Sequence, residues 1–234
     1  MYILAKEARK YTKVLLTGEG ADEIFYGYNR YFDQKLQSNN DILFSNLFNT
    51  PASVSKIIKK GGSYMKERTR ILYNIPRHIR SDAKISYYDL CTYLPHVLQR
   101  QDKAGMAANI ENRVPFLYES VVESGFYMQN RVGEFGGKTP LKKIALKYLP
   151  KEFVLRRKCG FGLPIADWLR KEGGPNLDLS RIAKHSLIKK YFKVREIRKL
   201  CNEHISKNID NSVILFSLIS LMIWHDVFIG YAEK

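Results

Sequence analysis

The chain has 234 residues and carries 39 Lys and Arg against 23 Asp and Glu, a net charge of +16, with 45% hydrophobic and 26% charged residues. That length supports one sizeable domain with its own core, and that composition excludes an intrinsically disordered chain. Cys91, Cys159 and Cys201 are widely spaced and odd in number, which excludes a disulfide framework or a CxxC zinc site and points to a reducing cytoplasm.

Residues 2–11 predict the end of a charged, amphipathic helix without the apolar core of a signal peptide. Lys13 to Thr17 is a short apolar run bounded by glycine, the pattern of a parallel strand buried on both faces. Residues 23–32 predict a helix with Ile24, Tyr28, Tyr31 and Phe32 on one face, followed by a polar loop. The stretch 34–85 reads as a basic region, helical in pieces and broken by Pro51, Gly61-Gly62 and Pro76. Between Pro51 and Ser81 it holds eight Lys or Arg against Glu67 alone, which suits either a solvated basic face or a polyanion partner. No RNA-binding or zinc-finger signature accompanies the charge, so nucleic acid is not the expected partner.

Residues 86–108 predict two helices divided near Pro95, and Thr139-Pro140 predicts a helix start that Pro150 closes. Further helices are expected at about 164–171, 193–207 and 211–229. The apolar run Val213 to Trp224 is 12 residues long, short of the roughly 20 that cross a bilayer. One strand stands out, and a lone buried strand leaves backbone groups unpaired. Its missing neighbours are expected upstream of Met1, so the chain reads as incomplete at its amino end.

Three segments invite a chemical role. Leu16-Thr17-Gly18-Glu19-Gly20-Ala21-Asp22-Glu23 places two glycines and three acids at a strand end, where α/β sheets bind ligands. The acids repel one another unless a cation sits among them. A ligand-binding turn and an acid-capped structural turn both fit. Arg156-Arg157-Lys158-Cys159-Gly160-Phe161-Gly162 suits either a phosphate-meeting loop or an exposed basic loop. Asp102 through Glu111-Asn112-Arg113-Val114-Pro115 suggests a helix feeding a buried turn, with Arg113 paired to Glu111 or Asp102. The five histidines fall in no metal or triad spacing.

Taken together and in order, these segments resemble the synthetase domain of glutamine-dependent asparagine synthetases. The family's LSGEGADELFGGY, DRxSMAxSLExRVPFLD and RxKxGF followed by Pro and WLR are matched by LTGEGADEIFYGY at 16–28, DKAGMAANIENRVPFLY at 102–118 and RRKCGFGLPIADWLR at 156–170. The resemblance covers residues 1–234 as the carboxy-terminal portion of that domain and is weakest in the variable basic region 34–85. It implies an α/β fold of the adenine nucleotide alpha-hydrolase-like, PP-loop ATP pyrophosphatase type, of which this part is mostly helical with one evident strand at about 13–17.

The resemblance also implies a reaction. The side-chain carboxylate of aspartate is adenylated by MgATP, and ammonia drawn from glutamine attacks the acyl carbon. By position, Glu19 and Lys158 match the catalytic acid and lysine. Thr17, Gly18 and Asp22 match substrate and nucleotide contacts, while Asp102, Glu111 and Arg113 match supporting positions. No protein metal ligands are implied, since magnesium travels with ATP. Thr17 and Gly105 stand where serine is common, Tyr26 where glycine is, and Tyr118 where aspartate is. An SGGxDSS pyrophosphate loop and a Cys-first glutaminase domain are absent, so an upstream polypeptide carrying both is the expected partner. The alternatives are a basic module derived from the ligase that binds nucleic acid or protein, a silent relic, and an amidotransferase for a peptide or sugar acid.

Overall fold

The structure is a computed structural model that describes residues 1–32, 38–61, 65–128, 132–156, 162–171 and 178–230. In chain order its elements are α1 (Tyr2–Ala8), β1 (Val14–Leu16), α2 (Ala21–Ile24), α3 (Asn39–Phe44), α4 (Pro51–Ile57), α5 (Lys66–Tyr73), α6 (Lys84–Thr92), α7 (Leu94–Met106), β2 (Glu111–Arg113), α8 (Glu119–Tyr127), α9 (Thr139–Ala145), α10 (Lys151–Val154), α11 (Ile165–Leu169), α12 (Ser186–Tyr191), α13 (Val194–Ile205) and α14 (Ser212–Phe228). The chain divides into two compact units, one of Met1–Asn46 with Tyr64–Lys158, the other of Leu47–Ser63 with Cys159–Lys234.

The first unit holds the sheet. β1 runs parallel to β2, with Val14 opposite Glu111, Leu15 opposite Asn112 and Leu16 opposite Arg113. This corrects two expectations. β1 has a neighbour within the chain, and Glu111–Arg113, expected in a helix feeding a turn, is that strand. The reason is local: α7 ends at Met106, Asn109 turns through a positive φ of 55°, and the chain leaves extended toward Pro115. Residues before a proline favour extended backbone. β1 is also less buried than expected, since Leu16 is 72% exposed.

The helix expected over 23–32 is broken. α2 stops at Ile24, because Tyr26 adopts φ 61° and the helical phase is lost before a 3-10 turn at Asn29–Phe32. A side chain in that left-handed conformation costs on the order of 1 kcal/mol, which explains why glycine suits position 26. Here the cost is offset by burying the ring edge-on against Tyr31, at 5.1 Å between centroids. The core of this unit is built by Ile42, Leu43, Leu72, Ile85 and Tyr88.

α9 begins one residue away from the sequence expectation. Lys138 occupies its cap position, and the Thr139 hydroxyl donates to Gly136 O and accepts from Gly133 N–H instead of capping the helix. Pro140 keeps the first-turn place predicted for it.

In the second unit, α11, α12, α13 and α14 close on Leu169, Ile182, Ile188, Ile197, Leu215 and Leu218. Each such fully buried aliphatic side chain contributes about 1.5–3 kcal/mol. His204 is buried there. Its Nδ1 accepts the Asn211 N–H at 3.2 Å while Nε2 meets Ala166 O at 3.2 Å, which makes it a structural histidine. α14 presents Leu215, Leu218, Ile219 and Met222 to the core, but Trp224 and Phe228 remain exposed. Among the described residues no helix is long and apolar enough to cross a membrane.

Candidate active site at the end of the first strand

β1 ends at Leu16, and the backbone from Thr17 to Gly20 turns into α2. The Thr17 N–H still donates to Arg113 O at 2.9 Å, so the ladder with β2 fixes where the turn starts. Gly20 has φ +88°, and a Cβ there would overlap the Leu117 side chain, so both conformation and space demand glycine. At Gly18 the opposite holds, with nothing within 4 Å of where a Cβ would stand. The turn is therefore packed behind Gly20 and open in front of Gly18.

The three acids of this turn have separate fates. Asp22 pairs with Lys138, 3.0 Å from Nζ to Oδ1, a cation that no sequence spacing announced. Glu23 is 1% exposed and accepts the Tyr28 hydroxyl at 2.8 Å. Glu19 is half-buried and makes no hydrogen bond or ion pair with any described residue. Of the three, Glu19 is the one that no described residue pairs or hydrogen-bonds.

Behind the turn lies a buried polar network that sequence reasoning missed. Asp89, 0% exposed, accepts from Arg30 at 2.5 and 3.2 Å, from the Tyr31 hydroxyl at 2.7 Å and from Asn46 Nδ2 at 2.5 Å. Arg30 stacks over Tyr28, 4.0 Å from the ring centroid, and so joins Asp89 to the tyrosine that holds Glu23. Arg68 donates to Asn46, and Ser86 Oγ donates to the carbonyl of Glu23. No pattern in the sequence marked Asp89, which shares the buried face of α6 with Ile85, Ser86, Tyr88 and Thr92.

Burial holds the Glu23 carboxyl above its ordinary value of 4.5, and the Tyr28 hydrogen bond offsets this in part. A raised carboxylate makes the folded chain bind more protons than the unfolded chain. Its contribution is thus fully present below about pH 4.5 and is lost as pH rises toward the folded value. Replacing Glu23 with Gln keeps an acceptor for Tyr28 and removes the titration. The variant is expected to gain stability relative to the parent as pH goes from 4 to 7, measured by urea unfolding at stepped pH. A difference that stays constant with pH would refute the assignment.

The remaining predicted residues are distributed as follows. Arg113 pairs with Glu111 at 2.9 Å on the exposed face of β2, while Asp102 is exposed on α7 and pairs with no described residue. Lys158 lies outside the described residues. Gly105 abuts the Asn112 side chain, whose Nδ2 donates to Gln101 O at 3.0 Å, so a larger residue at 105 would displace that contact. Tyr118 sits at the cap of α8 without a capping bond, where an aspartate would supply one.

Thr17 Oγ1 is buried with no partner among the described residues, and so are both amide atoms of Gln101. Both residues border a cavity of about 180 Å³ between α1, β1 and α7. A larger cavity of about 570 Å³ lies in the second unit, lined by residues of α4, α13 and α14, and contains none of the predicted site residues.

Two other features invite a chemical reading. His185, His225 and Asp226 bring three ligand-type atoms within 4.8 Å of one another. His185 Nδ1 accepts the Leu187 N–H, so the neutral ring carries its proton on Nε2, which faces Asp226 at 2.8 Å. That nitrogen has no lone pair for a metal while the hydrogen bond stands. In the basic stretch, Arg70 pairs with Glu67, Arg80 pairs with Asp82, Arg68 is turned to Asn46, and Lys59 donates to Lys189 O. Half of its eight cations are already engaged, which weakens the case for a polyanion surface.

Residues 1–226 match the family model described as asparagine synthase. The chain is similar to "Asparagine synthetase [glutamine-hydrolyzing] 1" of Bacillus subtilis, 27% identical over 269 residues that cover 97% of this chain and 42% of the relative. It is also similar to "Putative asparagine synthetase [glutamine-hydrolyzing]" of Mycobacterium tuberculosis, 26% identical over 275 residues, 99% of this chain and 42% of the relative. The chain thus spans less than half the length of these curated relatives. No solved structure gives a significant match.

Proposed function

The chain belongs to the asparagine synthase family, and we propose that it forms part of an ATP-dependent ligase that converts aspartate to asparagine. The observation that carries this reading is the strand-end turn in which Glu19 stands uncompensated while Asp22 and Glu23 are held by Lys138 and Tyr28. A carboxylate kept free beside an open backbone turn is placed to guide an amine or to take a proton from attacking ammonia. Thr17 and Gly18 supply the polar, uncrowded strand end that a nucleotide or acyl group approaches, and Thr17 Oγ1 has no other partner among the described residues. These features fit ATP at the strand end, with magnesium held by its phosphates.

Lys158 takes the charge that develops on the phosphates, and such preorganised cations are among the larger catalytic terms. Asp102, Glu111 and Arg113 act only in support, by shaping α7 and β2. The partner is a polypeptide that brings an SGGxDSS loop and a glutaminase, and the cytoplasm is the expected compartment. Burial pushes the Cys201 thiol up to about 11, in keeping with an unreactive core cysteine.

Backbone N–H groups of a glycine-rich loop are what hold nucleotide phosphates tightly. The isolated chain, which has no SGGxDSS sequence, is therefore expected to release no pyrophosphate from ATP with aspartate and ammonia. Coupled measurement of pyrophosphate checks this, and robust turnover by the isolated chain would sink the proposal. Once the polypeptide carrying the phosphate-binding loop is supplied, pyrophosphate release with aspartate against peptide or sugar acids decides the substrate class.

A further inference from the structure

The first unit holds another cavity, of about 410 Å³, between α6 and α8. That volume lies within the roughly 300–1,000 Å³ of small-molecule pockets. None of the described residues that line it belongs to the strand-end turn. Its floor is apolar. Tyr87 and Leu90 come from α6, Val122 and Phe126 from α8, and Ile79 and Ala83 from the segment before α6. The rings of Tyr87 and Phe126 meet edge-on at 6.0 Å between centroids, so the two helices close the floor on an aromatic contact. On its other side α8 is seated closely on α2, where Gly125 leaves no room for a Cβ beside Ile24. The floor is thus preformed.

The rim carries the charge, and its arginine and its acid stand in different states. Arg80 donates from Nε and Nη2 to the two carboxylate oxygens of Asp82, at 3.0 and 3.1 Å, so its charge is matched. Glu123 is exposed on α8 and makes no hydrogen bond or ion pair with any described residue. Tyr127 follows one turn later on the same face and is 78% exposed. His78 on the opposite rim also pairs with no described residue, and a neutral imidazole there offers one donor and one acceptor.

We propose that this cavity binds an organic ammonium ion with a ring-sized apolar body. The body fills the floor against Tyr87, Val122 and Phe126. The ammonium group lies between the Glu123 carboxylate, which accepts a charge-assisted hydrogen bond, and the ring face of Tyr127, which attracts a cation. An anion with the same body fits less well, since Arg80 is engaged by Asp82 and Glu123 repels it. The chain carries a net charge of +16, which attracts anions at many places and ammonium ions at few. Preference for the cation is therefore the mark of this one site. The proposal uses no residue of the strand-end turn and holds or fails apart from the ligase reading.

Titration calorimetry of the full chain with phenethylamine tests it, with phenylacetate as the anion of matching body. Phenethylamine is expected to saturate one site per chain, and phenylacetate to bind more weakly. Glu123→Gln is expected to weaken phenethylamine about tenfold, the scale of one lost charge-assisted hydrogen bond. Tyr127→Ala is expected to weaken it about two- to fivefold, the scale of an exposed cation–ring contact. Both residues are exposed, so the melting temperature of the free chain is expected to stay unchanged. Added salt is expected to weaken phenethylamine binding to the parent more than to Glu123→Gln. No saturable binding of phenethylamine, phenylacetate binding equally well, or an affinity insensitive to both variants would each overturn the proposal.

Discussion

Replacing Asp89 with alanine is expected to destabilise the chain by about 3–5 kcal/mol, because it leaves a charge in the interior without its partner. Arg30 is three-quarters covered and points its guanidinium at this carboxylate, while Tyr31 and Asn46 donate to the same two oxygens. Removing the acceptor strands three donors at once. Asparagine in its place is also costly, since it removes the charge that pairs with Arg30 and turns an amide donor toward either the Arg30 side or the Asn46 Nδ2 side of the site. A loss of this size is a large fraction of the 5–15 kcal/mol typical of a domain. Urea unfolding measures it, and a shift under about 1 kcal/mol would show that the network is not held by Asp89. Replacing the pair together, Asp89→Leu with Arg30→Met, is expected to recover the part of the loss that comes from the stranded Arg30 ion, while Tyr31 and Asn46 still lack their acceptor.

The second large effect is catalytic. On the proposed ligase reading, and with the polypeptide that the relatives carry outside the matched stretch supplied, Lys158→Ala is expected to lower ATP–pyrophosphate exchange by about 10²–10³-fold, the range for deleting one preorganised group facing developing charge. Glu19→Gln is expected to spare that exchange while lowering amide formation about 10²-fold, the usual scale of a general base. The split separates adenylation from attack by ammonia. Equal loss of both steps in both variants would mean that the two residues serve the structure and not the separate steps assigned to them.

The Glu23 network and the chemistry of Glu19 were legible in the sequence to different degrees. Glu19, Asp22 and Glu23 were visible as three acids in five residues, and repulsion among them demanded compensation. Which acid stays uncompensated was not visible. Lys138 lies over a hundred positions away and reaches Asp22 only because the turn before α9 returns to Phe25, with Lys138 N–H donating to Phe25 O at 2.7 Å. Asp89 escaped notice for the same reason, because its donors come from a turn and a loop distant in sequence. The break at Tyr26 was missed because helical periodicity carries no information about a positive φ.

Local pattern alone determined the apolar strand leading into the glycine turn, the helix that holds Pro140 in its first turn and the presence of the last helix, since periodicity and turn chemistry act over a few residues. The ordered motifs determined the family. Tertiary structure decided the rest: that Glu111–Arg113 is a strand beside β1, that Lys138 pairs with Asp22, and that the Tyr28 hydroxyl donates to Glu23. Strand pairing and the neutralisation of charge are settled by groups brought together from far along the chain, and no spacing within a segment records them.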